Sequence, residues 1–178
     1  MSTTTETQVQ TTQVYRVYIK ATPQAVWDAI TRPEWTLRYG YTSAVEYDLR
    51  PGGAYLARPS DAMRAAGDAM GIPTPDVIVD GEVVEAVPPR RLVQTWRLLM
   101  DPEITAEGFT RLTYEIDPVR DSTRLTVTHE LEGAPKLALM VSGAHEDEGG
   151  PGAGGGWAWI LSELKTLLET GHSFQGEG

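Results

Sequence analysis

A chain of 178 residues, 40% of them hydrophobic, has the size and apolar content of one globular domain and is too apolar for a disordered one. Its net charge of -10 argues against nucleic-acid binding, which needs a basic surface to displace counterions from phosphates, and Arg90-Arg91 is its one adjacent basic pair. Cysteine is absent, which excludes disulfides, thiolate nucleophiles and cysteine metal sites.

No apolar run reaches the roughly 18 residues that a spanning helix needs. The start, MSTTTETQVQTT, lacks the basic end and apolar centre of a signal peptide and reads as a tail over residues 1–12. A cytoplasmic location is expected. In QVYRVYIK, Tyr15, Val17 and Ile19 alternate with Arg16, Tyr18 and Lys20, the period of a half-buried strand. ATPQAVWDAI then opens a helix, with Thr22 placed to cap it and Pro23 in the first turn. Pro33 breaks that helix and starts a second, PEWTLRYG.

SAVEYDLR and AYLARP form a hairpin about the Pro51-Gly52-Gly53 turn. Residues 60–76, rich in Ala and Met, read as an insertion with a short helix beside an opening. VIVDGEVVEAV is a strand with Gly81 as an expected bulge. RLVQTWRLLM, TRLTYEIDPV and STRLTVTHEL are further strands, the last two joined by the turn PVRDS. Ser142 to Gly156 holds seven glycines and reads as a flexible loop. WAWILSELKTLLETG repeats Trp157, Ile160, Leu161, Leu164 and Leu168 at helical spacing, with Gly171 placed to end it; 14 residues would run roughly 21 Å. The order, one strand, two short helices, a run of strands and one long amphipathic helix, predicts an α+β fold. Its antiparallel sheet would curve around the last helix and leave a cavity between them.

VYIKATPQAVWDAIT, the PGG turn, GEVVEAVPPRRLVQTW and GGGWAWILSELKTLLETG resemble the START/SRPBCC superfamily, in the branch related to the activator of the heat-shock-protein-ninety ATPase. The resemblance covers residues 13–172 and implies a single helix-grip domain, followed by a tail over 173–178, with a cavity for apolar ligands. RYGY, YDLRPGGAYLA and LMDPEITAEGFTRLTYEI are similar to the self-sacrifice resistance proteins for calicheamicin-type enediyne antibiotics. That likeness implies a monomeric, single-turnover binder that is cut by the drug it captures, without cofactor. It places the sacrificial residue at Gly108.

The chemistry suits a glycine. An enediyne triggered by a thiol cyclises to an aryl diradical that takes hydrogen atoms from carbon. A glycine Cα–H gives a radical delocalised over two amides, with no side chain to block approach. The plainer reading of Gly108 is a turn residue with positive φ.

An aromatic cavity would hold such a ligand. The candidate lining is Trp27, Trp35, Tyr39, Trp96, Met100, Phe109, Tyr114, His129, Trp157 and Leu161, against an alternative of plain core packing for each. His129 alternates with Val127 and Leu125, so it is expected to point inward, as a core histidine or as the base of a polyketide cyclase or aromatase with Tyr114. Arg58, Arg97 and Arg111 are strand charges, on the solvated face or at the opening. No His, Asp or Glu spacing matches a metal site. A chaperone-docking module is the third functional class, and it would need an exposed patch that the sequence does not reveal.

Overall fold

A computed structural model describes residues 11–145 and 154–174. The expected tails fall largely outside these residues, as does the centre of the glycine-rich loop.

The described elements run β1 (Thr12–Ile19), α1 (Pro23–Thr31), α2 (Pro33–Thr36), β2 (Ser43–Tyr47), β3 (Ala54–Pro59), α3 (Asp61–Ala69), β4 (Val79–Val87), β5 (Arg91–Leu98), α4 (Pro102–Thr105), β6 (Thr110–Val119), β7 (Ser122–Glu130), α5 (Pro135–Val141) and α6 (Gly156–Thr170). One seven-stranded sheet has the order β1-β7-β6-β5-β4-β3-β2. Every neighbouring pair is antiparallel. The sheet curls about α6, the helix-grip arrangement.

Local signals account for the ends of several elements. The Thr22 hydroxyl accepts from the Ala25 N–H, and Pro23 occupies the first turn of α1. Gly171 closes α6 at φ 85° and donates its N–H to the Leu167 carbonyl, a left-handed cap that only glycine adopts without strain. The α6 side chains Trp157, Leu161, Leu164 and Leu167 are buried against strand residues Ile19, Leu112, Ile116, Leu125 and Val127. Each buried Leu or Ile contributes roughly 1.5–3 kcal/mol. Tyr15, Val17 and Ile19 take the inward face of β1, while Val14 and Tyr18 are exposed.

Two differences from the sequence reading have physical causes. The bulge in β4 lies between Val83 and Glu85, not at Gly81. Gly81 is needed for close approach instead, since a Cβ there would sit 1.9 Å from the Thr95 carbonyl oxygen. Helix α5 was not expected. Its N-cap, Ala134, offers no side-chain hydrogen bond. The Glu107 carboxylate does so from a distant turn, accepting from the Lys136 and Leu137 N–H groups at 2.8 and 3.0 Å.

Candidate functional site

Between α6 and the β2–β6 part of the sheet lies a cavity of about 470 Å³. Its walls are Val45 and Tyr47 of β2, Tyr55 and Ala57 of β3, Trp96 and Leu98 of β5, Tyr114 of β6, and Trp157 and Ile160 of α6. Met63, Met100, Asp101, Ile104, Met140 and Tyr41 surround the open end, where Tyr41 and Met100 are exposed. A shallower hollow of about 300 Å³ adjoins it, sharing Asp101, Ile104 and Met140.

The mouth is held by backbone contacts to α6. The buried Glu163 accepts the Gly40 N–H at 2.7 Å. The Tyr41 hydroxyl accepts from the Gly156 N–H at 3.2 Å. The tyrosine hydroxyls of the cavity stay protonated. Burial raises Tyr39, Tyr47, Tyr55 and Tyr114 above the ordinary tyrosine pKa. Asp101 is the one charged residue of the lining among the described residues, and it caps α4 by accepting from Glu103 N–H at 2.8 Å.

Of the residues singled out in the sequence, Tyr39, Trp96, Met100, Tyr114 and Trp157 line the cavity. The others are placed elsewhere. Trp27 and Leu161 are core residues. Trp35 packs at the core edge with Arg38 over its ring at 5.2 Å. Phe109 is exposed beneath the Arg97 guanidinium at 4.3 Å. His129 is fully buried behind Trp96 and Trp157, with its ring edge-on to both. Arg58, Arg97 and Arg111 are paired with Glu46, Asp80 and Glu130 and do not reach the cavity. Tyr47 and Tyr55 of the lining, and Gln94 bonded behind Tyr47, were missed. Their signal was the strand alternation that puts Tyr47 on the face of Val45, Tyr55 on that of Ala57, and Gln94 on that of Trp96 and Leu98.

Gly108 lines neither the cavity nor the adjoining hollow. It follows α4, whose Ile104 does line the cavity, and donates its N–H to the Thr105 carbonyl at 3.1 Å. Its φ is 84°, and a Cβ built on it would meet nothing within 4 Å. Both neighbours are anchored, Glu107 on α5 and Phe109 under Arg97. Among the described residues no group of His, Asp or Glu is placed to hold a metal ion, and no helix is long and apolar enough to cross a membrane.

A family model, Activator of Hsp90 ATPase homolog 1-like protein, matches residues 20–169. The chain belongs to this family. No curated protein matches it. Among solved structures, the solution structure of CalU16 from Micromonospora echinospora is 19% identical, with a TM-score of 0.61 over 93% of this chain and 69% of that one. DynU16, of the dynemicin biosynthetic locus, gives 19% identity and a TM-score of 0.61 over 92% of this chain and 49% of DynU16; this chain thus spans about half of it. The Aha1 dimer from Colwellia psychrerythraea gives 18% and 0.57 over 90% of this chain and 97% of that one. At these identities the likeness is one of fold.

Proposed function

We propose that this family member captures an enediyne-type antibiotic in its aromatic cavity and consumes it by hydrogen transfer from Gly108. The carrying observation is a glycine with an open Cα face and anchored neighbours, four residues after Ile104 of the apolar cavity's lining. In this reading the ligand's aromatic portion is seated among Tyr55, Trp96, Tyr114 and Trp157, and its reactive ring projects past Ile104 to Gly108. There the aryl radical takes one hydrogen atom from the Gly108 Cα. A new aryl C–H bond forms, and the unpaired electron is left on the Cα between two amides. Dioxygen adds to that radical, the peroxyl radical takes a hydrogen atom from the activating thiol, and two further thiols reduce the hydroperoxide to α-hydroxyglycine with release of water and a disulfide; its N–Cα bond then breaks, leaving an amide on one fragment and a glyoxylyl end on the other. The protein supplies placement alone, so it turns over once. The fold likeness to CalU16 and DynU16 supports the choice of ligand class.

The cyclase alternative needs an acid–base pair on the cavity wall. His129 does not line the cavity, and both its nitrogens are engaged. The test is intact-mass spectrometry after incubation with a calicheamicin-type enediyne, a thiol and oxygen. Two fragments meeting at Gly108 are expected. An uncut chain in the presence of consumed drug would sink the proposal.

A further inference from the structure

The closed end of the cavity has hydrogen-bond donors in excess of acceptors. Tyr47 and Tyr55 face each other across β2 and β3, their rings stacked at 4.6 Å. The Tyr47 hydroxyl donates to Gln94 Oε1 at 2.6 Å. That leaves the two N–H groups of Gln94 Nε2, on a residue with 0% exposure, and Nε2 has no partner among the described residues. A buried, unpaired donor of this kind costs about 1–3 kcal/mol. Gln94 and Trp96 also lie beside the Tyr55 hydroxyl, which donates to no described residue. The Tyr114 hydroxyl, edge-on to Trp157 by its ring, likewise donates to no described residue. Tyr39 is different, because its proton goes to the Ala29 carbonyl at 2.8 Å.

Among the described residues no cationic side chain lines the cavity. A carboxylate or sulfate drawn to these donors would be buried without a counter-charge, at several kcal/mol. A neutral acceptor meets no such penalty. We propose that Tyr55 and Tyr114 on the cavity wall, backed by Gln94 behind Tyr47, form a subsite for a neutral carbonyl oxygen, such as a ketone or quinone, at the buried end of an aromatic ligand. This rests on the reading that the cavity binds such a ligand, and it adds the functional group recognised there.

The test uses two probes of one skeleton, 9-fluorenone and fluorene, titrated into the full chain by quenching of tryptophan fluorescence and by calorimetry. Water solvates the ketone better, so an apolar cavity would prefer fluorene. With the donors engaged, fluorenone should bind about tenfold more tightly, one charge-free hydrogen bond's worth. Its carbonyl stretch should move to lower frequency on binding. Tyr114→Phe keeps the ring and should erase most of the preference while fluorene binding stays; Gln94→Leu should do the same. Equal or tighter binding of fluorene by the unaltered chain overturns the subsite and leaves the cavity reading standing. Binding of neither probe overturns both.

Discussion

The indole N–H of Trp157 donates to Nδ1 of His129 at 3.2 Å, and this one bond fixes the state of a buried imidazole. Nδ1 accepts, so the ring proton is on Nε2, which faces the Thr110 hydroxyl at 2.8 Å. Thr110 passes its own proton to the Trp96 carbonyl at 2.9 Å. Every proton in the chain is assigned by an indole that can only donate and a carbonyl that can only accept. A second proton on His129 would meet the Trp157 N–H head-on.

Burial accordingly lowers the His129 pKa to about 3. The sign of the pH effect follows. Above the unfolded value of about 6.5 the imidazole is neutral in both states and costs nothing. Between pH 6.5 and 3 the unfolded chain binds a proton that the folded one refuses, so stability falls as pH falls. From pH 7 to pH 5 the loss attributable to this residue is about 2 kcal/mol, on 1.36 kcal/mol per unit. Urea denaturation at the two pH values should show it, and His129→Gln should flatten the difference. Nitrogen-detected NMR at pH 5 should still find a neutral ring with its proton on Nε2; a doubly protonated ring would refute the assignment.

Gly108→Ala has two separable effects. With φ at 84° and open space around the built Cβ, the cost is backbone strain alone, about 1 kcal/mol. For a chain of this size that is a drop of about 2–4 °C in Tm. Gly81→Ala, whose Cβ would run into the Thr95 carbonyl, should cost far more. The alanine variant should therefore fold, and loss of cleavage in it would not be loss of structure. Glycine deuterated at Cα, incorporated throughout the chain, gives a mass signature that does not depend on any variant. Deuterium recovered in the aromatised drug, together with a cut at Gly108, is the expected result. An aromatised product free of deuterium would mean that the hydrogen comes from elsewhere.

Parts of this architecture were legible because their causes are local. Thr22 and Pro23 announce α1, Gly171 ends α6, and strict alternation gives β1 its inward face. The strand aromatics Trp96 and Tyr114 could be placed facing the cavity for the same reason. Phe109 could not, because it sits outside regular strand pairing and is drawn outward by the Arg97 guanidinium. Trp27 and Trp35 lie on helices that reach the cavity through Ile30 and Thr36 instead, while Trp27 packs in the core and Trp35 at its edge. Helix α5 depends on Glu107, far away in sequence, so no local cap marks its start. Gly81 carries the same letter whether it makes a bulge or admits a neighbouring carbonyl; only the paired strand tells them apart.

Glu107 links the candidate glycine to the mouth. Its carboxylate caps α5, which in turn brings Met140 and Val141 to the cavity. Glu107→Ala should cost about 1 kcal/mol, as loss of a helix cap does, with hydrogen exchange quickening at Lys136 and Leu137. If Gly108 is the donor, cutting efficiency should also fall, since its flank is released, while ligand affinity changes little. Glu107→Gln keeps an acceptor and should recover part of both. Unchanged exchange at the start of α5 would show that the cap contributes nothing.

Ala57 offers a direct way to occupy the cavity. It lies on β3 between Val45 and Val79 on the adjoining strands, is 1% exposed, and its side chain lines the space. Ala57→Phe would project a ring into that volume. In a filled core such a change costs about 1–3 kcal/mol through strain; here the ring has room, so Tm should fall by less than that implies or should rise. Affinity for fluorenone should drop at least tenfold, or about 1.4 kcal/mol, because the ring and the ligand compete for one space. An unchanged affinity in a folded Ala57→Phe protein would move the binding site to the neighbouring hollow beside Lys136 and Leu139, away from the tyrosines on which the carbonyl subsite depends.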